Sequence, residues 1–197
     1  MSACGAAWLP GTLLLALIGG VPALADGVVS GSVAEPEGYR LERYDAPVPA
    51  GLSGARTVNA LEVQRLMSEE AAVVIDVVPQ HRRPDALPDE ALWLPVDHVG
   101  IEGALWLPDT GYGAQADVTR DYLFEHVHDA TDGRRDHPIV FYCRIDCWMS
   151  WNAAKRAVRA GYRQVHWLRD GLDDWQFEDL PTAVLVPAPG PRLPRDE

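Results

Sequence analysis

Three short runs limit how this chain can fold: "AAVVIDVV" at residues 71–78, "PIVFYC" at 138–143 and "QVHWLR" at 164–169. The first two are continuously apolar and too short for an ordinary helix, the pattern of strands buried on both faces. The third has the β-branched and aromatic content of a strand. Helical spacing fills the stretches around them. "TVNALEVQRLM" carries apolar residues at Val58, Leu61, Val63, Leu66 and Met67, with Asn59 placed to cap it. "AQADVTRDYLFEHVHDATDG" is helical through Val118, Tyr122, Leu123 and Val127, with Gly133 near its end, and "SWNAAKRAVRAGY" is a helix stopped at Gly161. "GALWLP" reads as another short strand, and "DGLDDWQ" turns into a short helix. Strand and helix in alternation give an α/β fold: a parallel sheet flanked by helices on both faces. Such sheets do their chemistry at the carboxyl ends of strands, where the next helix begins. Cys143 ends the strand "PIVFYC" and is the first residue to suspect.

The flanks read differently. Residues 1–25 have the pattern of an export signal. "WLPGTLLLALIGGVPALA" is apolar and uncharged, and Ala23-Leu24-Ala25 fits small-x-small cleavage before Asp26. The run is short for a span and is broken by Pro10, Gly19-Gly20 and Pro22, so no stable membrane span is expected after cleavage. Residues 26–56, rich in Gly and Pro, read as an extended arm leading into a domain at 57–180. Residues 181–197 form a proline-rich tail expected to be irregular. The 197 residues carry a net charge of -12 and one lysine, Lys155. A surface so acidic repels phosphate backbones, so nucleic acid is not an expected partner.

Cleavage would leave Cys143 and Cys147 as the cysteines of the mature chain, in a periplasmic, oxidising compartment. Both lie in "FYCRIDCWMSWNAAKRA", between a strand and a helix. Backbone N–H groups and the helix dipole at such a junction stabilise an anion, so a thiol there ionises readily, and the thiolate is the nucleophile. Three uses of the pair remain open: a structural disulfide, a sulfur carrier, and a redox pair in which Cys147 resolves a bond made at Cys143. A disulfide across so short a loop gains little closure entropy, which weighs against a mere staple. In a regular helix the sulfurs would stand a turn apart; in an open loop they can meet. Trp148, beside Cys147, is the aromatic best placed to act in the site. Trp151 and Trp175 read as core packing, and the His126–Asp129 stretch "HVHD" reads as helix surface. Zinc-type Cys–His spacing is absent from the sequence, and neither a metal nor a cofactor is expected.

Several of these segments together resemble a rhodanese-like domain, from about Thr57 to Leu180. "VVIDV" resembles the strand carrying that family's aspartate, here Asp76, and His98 to Ala104 follows its turn in outline. Cys143 falls on the family's cysteine, and "LRDGLDDW" on its closing motif. The resemblance implies that Cys143 accepts a sulfane sulfur and that Arg144, Ile145, Asp146, Cys147, Trp148, Met149 and Ser150 form the cradle and its continuation. It implies supporting structural roles for Asp76 and His98. The loop departs from ordinary members in lacking a cationic far rim. Trp148 and Met149 stand there, and Arg144 is opposed by Asp146. The same departure argues against a phosphatase, which needs an arginine clamp. "YCRIDCWMSWNAAKRA" with "GALWLPDTGYGA" further resembles the exported rhodanese-like family associated with catabolism dependent on pyrroloquinoline quinone. That family is named for Cys-x-x-Cys-Trp, and the spacing here is one residue longer. This finer resemblance implies a periplasmic sulfurtransferase or related thiol protein. Its partners would be a sulfur donor or a thiol-containing protein, beside quinoprotein alcohol dehydrogenase. Thiol–disulfide redox work and a non-catalytic binding module are the alternatives.

Overall fold

The computed structural model describes Met1 and residues 33–94 and 96–190. Beyond Met1, the export segment read at 1–25 lies outside the described residues, as do 191–197. Among the described residues, seven strands and four helices follow in the order β1 (Arg56–Val58), α1 (Ala60–Glu70), β2 (Val73–Asp76), β3 (His98–Ile101), β4 (Leu105–Trp106), α2 (Asp117–Ala130), β5 (Ile139–Tyr142), α3 (Trp148–Arg159), β6 (Val165–Leu168), α4 (Gly171–Phe177) and β7 (Thr182–Leu185). The central sheet has five strands in the order β1-β6-β5-β2-β4. All of its pairings are parallel.

Side-chain alternation explains why the central runs had to be apolar throughout. In β5, Ile139 and Phe141 face a core built with α2 and α3, while Val140 and Tyr142 face a second core built with α1 and α4. β2 divides the same way, with Ile75 on the first side and Val74 on the second. A strand between two cores has no polar face, so its sequence cannot alternate. The expected architecture, a single α/β domain with helices on both faces, is the one observed. α1 begins at the expected cap. The Asn59 side chain accepts from the Glu62 amide at 2.9 Å, and Glu62 reaches back to the Asn59 amide.

The differences are short strands. β1 takes Thr57 and Val58 out of the stretch read as helix. β3 and β7 form a separate antiparallel pair, with Gly100 opposite Ala183. The tail expected to be irregular therefore supplies a strand from Thr182 to Leu185, and Pro187 bridges to Trp106 beyond it. Residues 33–56 lie against the domain, with Val48 and Leu52 buried in the α2/α3 core. No helix among the described residues is long and apolar enough to cross a membrane.

Candidate functional site

β2 and β5 are neighbours, but their exits diverge: β2 leads toward β4 on one side and β5 toward β6 on the other. Open α/β sheets place sites at such a switch point. The loop leaving β5 holds both cysteines. Cys143 closes the strand, Arg144, Ile145 and Asp146 form an exposed turn, and Cys147 is the N-cap of α3. Asp146 sits at φ 53°, a left-handed conformation that reverses the chain between the two cysteines. Ile145 N–H is held by the Asp173 carboxylate at 2.8 Å, and the Cys143 carbonyl accepts from Leu172 N–H at 2.9 Å. Gly171 makes that second contact possible, because a Cβ there would stand 2.4 Å from the Cys143 carbonyl oxygen. The closing "DGLDDW" segment thus braces the thiol loop from behind.

With the loop folded this way, the two sulfurs meet. Cys143 Sγ and Cys147 Sγ lie 2.7 Å apart as free thiols. Both are buried, at 1% and 4% exposure. Their environments differ. The Cys143 thiol is pushed well up by its hydrogen bond to Cys147 and by burial, with the Asp76 charge adding to both. Cys147 is held below the ordinary thiol value by the hydrogen bond from Cys143, aided by the amides of Met149 and Arg144, against the cost of burial. The two shifts have opposite signs, and the lowered thiol is the one at the helix N-terminus. Cys143 continues β5 and faces the Asp76 charge; the Arg144 amide serves both sulfurs, and the Met149 amide serves Cys147.

The residues expected to form the cradle divide in two. Arg144, Ile145 and Asp146 are exposed, but Trp148, Met149 and Ser150 are buried inside α3. Trp148 packs edge-on against Trp151 at 5.2 Å and does not line a mouth. Ser150 accepts from the Trp167 indole at 3.0 Å. The reason is the segment before β1. Residue 45 bridges to Cys147 in antiparallel fashion, with Ala46 N–H on the Asp146 carbonyl and Trp148 N–H on the Tyr44 carbonyl, both 2.9 Å. The arm covers the thiols. Sequence reading missed Tyr44, Ala46, Asn152 and Asp173 as parts of the site. Asn152 ties α3 to the arm through both the N–H and C=O of Arg40, and to the Gly111 carbonyl, at 2.9–3.0 Å. An asparagine in the middle of an alanine-rich helix was the one signal available.

The family model for the rhodanese-like domain matches residues 59–178, more than half of the chain. The chain belongs to the rhodanese-like domain family. Its fold is similar to the solved rhodanese-like domain of an Anabaena protein, with 18% identity over 74% of this chain and 93% of that one and a TM-score of 0.40. It is also similar to the polysulfide-sulfur transferase homodimer of Wolinella succinogenes, with 15% identity over 66% of this chain and 80% of that one and a TM-score of 0.40. No curated protein matches.

In this rhodanese-like domain, Asp76 and His98 stand behind the loop. Asp76 is fully buried at the end of β2, where it caps the turn through Val78 N–H at 2.8 Å and meets His98 Nε2 at 2.8 Å. His98 lies 4.1 Å from the Trp106 ring centroid. These contacts fasten β3 to the sheet. Family membership supports sulfur or thiol chemistry in general.

Proposed function

We propose that this rhodanese-like protein does thiol–disulfide redox work with Cys143 and Cys147. The observation that carries the reading is the contact between the two sulfurs, 2.7 Å apart in a covered site. A thiolate at Cys147 attacks a disulfide sulfur of a partner. The partner's other sulfur leaves as a thiolate, and a mixed disulfide remains. Cys143 then loses its proton, attacks the Cys147 sulfur and releases the partner thiol, and the Cys143–Cys147 bond closes. The partner is reduced, and the pair gives up two electrons. A dithiol reductant reopens it. Lasting storage of a persulfide is disfavoured here, because a second thiol touches the atom that would carry it. The exposed loop offers one cation, Arg144, for an anionic donor.

Sulfur transfer is the second reading, and family membership favours it. There the Cys147 thiolate attacks a donor's sulfane sulfur and the rest of the donor leaves as sulfite or a thiolate; Cys143 then attacks the Cys147 sulfur and displaces the outer sulfur as sulfide while the same bond closes. We place the protein in the periplasm as an accessory to alcohol oxidation dependent on pyrroloquinoline quinone. The export-like first 25 residues and the "YCRIDCW" resemblance support that placement.

Intact mass of the protein equilibrated over a range of glutathione redox ratios tests the reaction. The expected result is a reversible loss of two hydrogens, abolished by Cys143→Ser, and no gain of sulfur from thiosulfate. A stable added sulfur would replace the redox reading with sulfur transfer. A bond that no reductant opens in the folded protein would sink both. In a host that grows on alcohols through a quinoprotein, Cys143→Ser that folds and is exported should lose that growth; retained growth would overturn the placement.

A further inference from the structure

Residues 44–51 lie over the cysteines, with bends at Ala46 and Ala50, and the main-chain contacts that hold them have one property in common. Trp148 N–H donates to the Tyr44 carbonyl and Ala46 N–H to the Asp146 carbonyl. The indoles of Trp148 and Trp151 donate to the carbonyls of Pro47 and Gly51, and Arg169 Nε donates to that of Pro49, each at 3.2 Å. Each of these bonds ends on the main chain of the segment, and one further bond, from Gly113 N–H, ends on the Tyr44 hydroxyl. The accepting carbonyls are those of residues 44, 47, 49 and 51. Tyr44, Ala46 and Val48 pack on the core. Of these bonds only the one from Ala46 uses an N–H of the segment, so the prolines at 47 and 49 forfeit nothing. Main-chain bonds with pockets for alternate side chains are how proteins recognise extended peptides.

We infer that the surface over the cysteine pair is a groove for a proline-tolerant polypeptide that pairs through its main chain, and that residues 44–47, between the anchors at Arg40 and Val48, fill it as a tethered occupant. The partner is then a protein that presents a cysteine sulfur within such a segment. This inference rests on the thiol–disulfide reading above and names its substrate class. The pairing also fixes where the partner's cysteine goes. The two bonds flank residues 45 and 147, which makes them a non-hydrogen-bonded antiparallel pair. In such pairs the Cα atoms stand about 4.5 Å apart and the side chains are at their closest, within the range a disulfide bridges. A partner in the same register places the residue corresponding to Asp45 beside Cys147. The chain's own segment is fastened at Arg40 by Asn152 and at Val48 by the core, and between those points it competes with the partner at high effective concentration.

Two experiments on the full chain test this. In the Asp45→Cys, Cys143→Ser double variant, oxidised with glutathione disulfide, the new thiol should form an intramolecular disulfide with Cys147, with glutathione released as thiol, read by peptide mass mapping. Failure to form it in a folded protein would overturn the register. In Cys143→Ser protein, which cannot resolve a mixed disulfide, the probe is a synthetic peptide of residues 41–51 with cysteine at the Asp45 position, activated as an aryl disulfide. It should join Cys147 at least tenfold faster than a scrambled peptide, and N-methylation at the Ala46 position should remove the advantage. Equal rates for matched and scrambled peptides would overturn the groove. Glutathione disulfide separates the two levels of the argument. A protein that reacts with it but shows no peptide preference keeps the redox reading and loses the groove. A protein whose pair never cycles in either form loses both.

Discussion

Two regions at the carboxyl edge of the sheet make a useful contrast. At the exit of β5 the turn Arg144–Asp146 is exposed but the thiols beneath it are covered: Cys143, Cys147, Trp148 and Trp151 are buried, and residues 44–51 close the surface. At the exits of β2 and β4, a few residues away, there is an open cleft of about 360 Å³ between Pro79, Arg82, Asp109, Tyr112, Gln115 and Thr119. Its groups are incompletely paired. Gln115 Oε1 has no partner among the described residues, while Arg82 and Asp109 hold each other at its wall. Pocket shape alone would send a search for the site to the second region. The cysteine pair is in the first, which is closed by the chain itself. A covered thiol pair keeps adventitious disulfides away, and on the proposed thiol–disulfide reading a partner must open it.

If the covered region is an integral layer of the core, the largest losses should come from its tryptophans. Trp151 is fully buried, packs on Trp148, holds the Gly51 carbonyl and lies under Lys155 Nζ at 4.4 Å from the ring centroid. Trp151→Ala should cost about 3–5 kcal/mol, measured by urea denaturation. A loss below about 1 kcal/mol would mean that the covering segment collapses readily into the gap, and the contrast with the cleft would weaken.

Asn152→Ala comes next. It leaves the Arg40 N–H and C=O and the Gly111 carbonyl without their partner, at about 1–3 kcal/mol for buried groups left unpaired. It should also speed alkylation of Cys147 in the folded, reduced protein, because one fastening of the covering segment is gone. Unchanged alkylation with lowered stability would show that the segment is held from Val48 alone.

Cys143→Ala sharpens the electrostatic half of the contrast. The hydrogen bond from Cys143 is the leading cause that holds Cys147 down, so its removal should move the Cys147 ionisation midpoint toward the ordinary thiol value. Thiolate ultraviolet absorbance reads this directly. The sign for stability follows. Because Cys147 is depressed in the folded state, its share of stability is present above the unfolded thiol's pKa and is lost as pH falls through the folded value. Cys143 is raised, so its share is present below the unfolded value and is lost as pH rises toward the folded one. A midpoint that does not move would assign the anion to the Met149 and Arg144 amides alone.

Much of this fold is legible in the sequence where burial is two-sided. β2 and β5 are found by their apolar runs, because their hydrophobic residues divide between two cores, and β6 by its β-branched and aromatic content. β1, β3 and β7 are hidden, because they carry exposed positions. One pentapeptide shows how far local sequence reaches. Ala-Leu-Trp-Leu-Pro occurs at 91–95 and again at 104–108. The second copy contains β4, with Leu107 fully buried, whereas in the first Leu92 is 84% exposed and belongs to no strand. Adjacency to β2 decides between them, and no local pattern records it. The cysteine junction is legible for the same reason as β5. The opposite shifts of the two thiols are not, since they depend on the left-handed turn at Asp146 and on which amides reach each sulfur. The covering segment is invisible for a third reason: it is bound through carbonyls, which every residue has.

The smallest effect belongs to the open side. Arg82 is 54% exposed on its side chain and pairs with Asp109, whose side chain is 11% exposed. An ion pair with one partner so well solvated is worth about 0–1 kcal/mol and is screened by salt. Arg82→Ala should therefore cost about 0.5 kcal/mol at low ionic strength and less in high salt, because cleft water can solvate the Asp109 carboxylate that remains. Cys147 alkylation should not change, since the cleft wall does not hold the covering segment. Urea melts at two salt concentrations, with an alkylation time course on the same samples, would decide it. A loss of several kcal/mol, or a faster thiol, would tie the cleft mechanically to the cysteine loop. The bridge would run through residues 109–113, which already touch both sides. Gly111 packs against Met149, and Gly113 N–H reaches the Tyr44 hydroxyl at 3.1 Å. The two regions would then be one device with an open and a closed face.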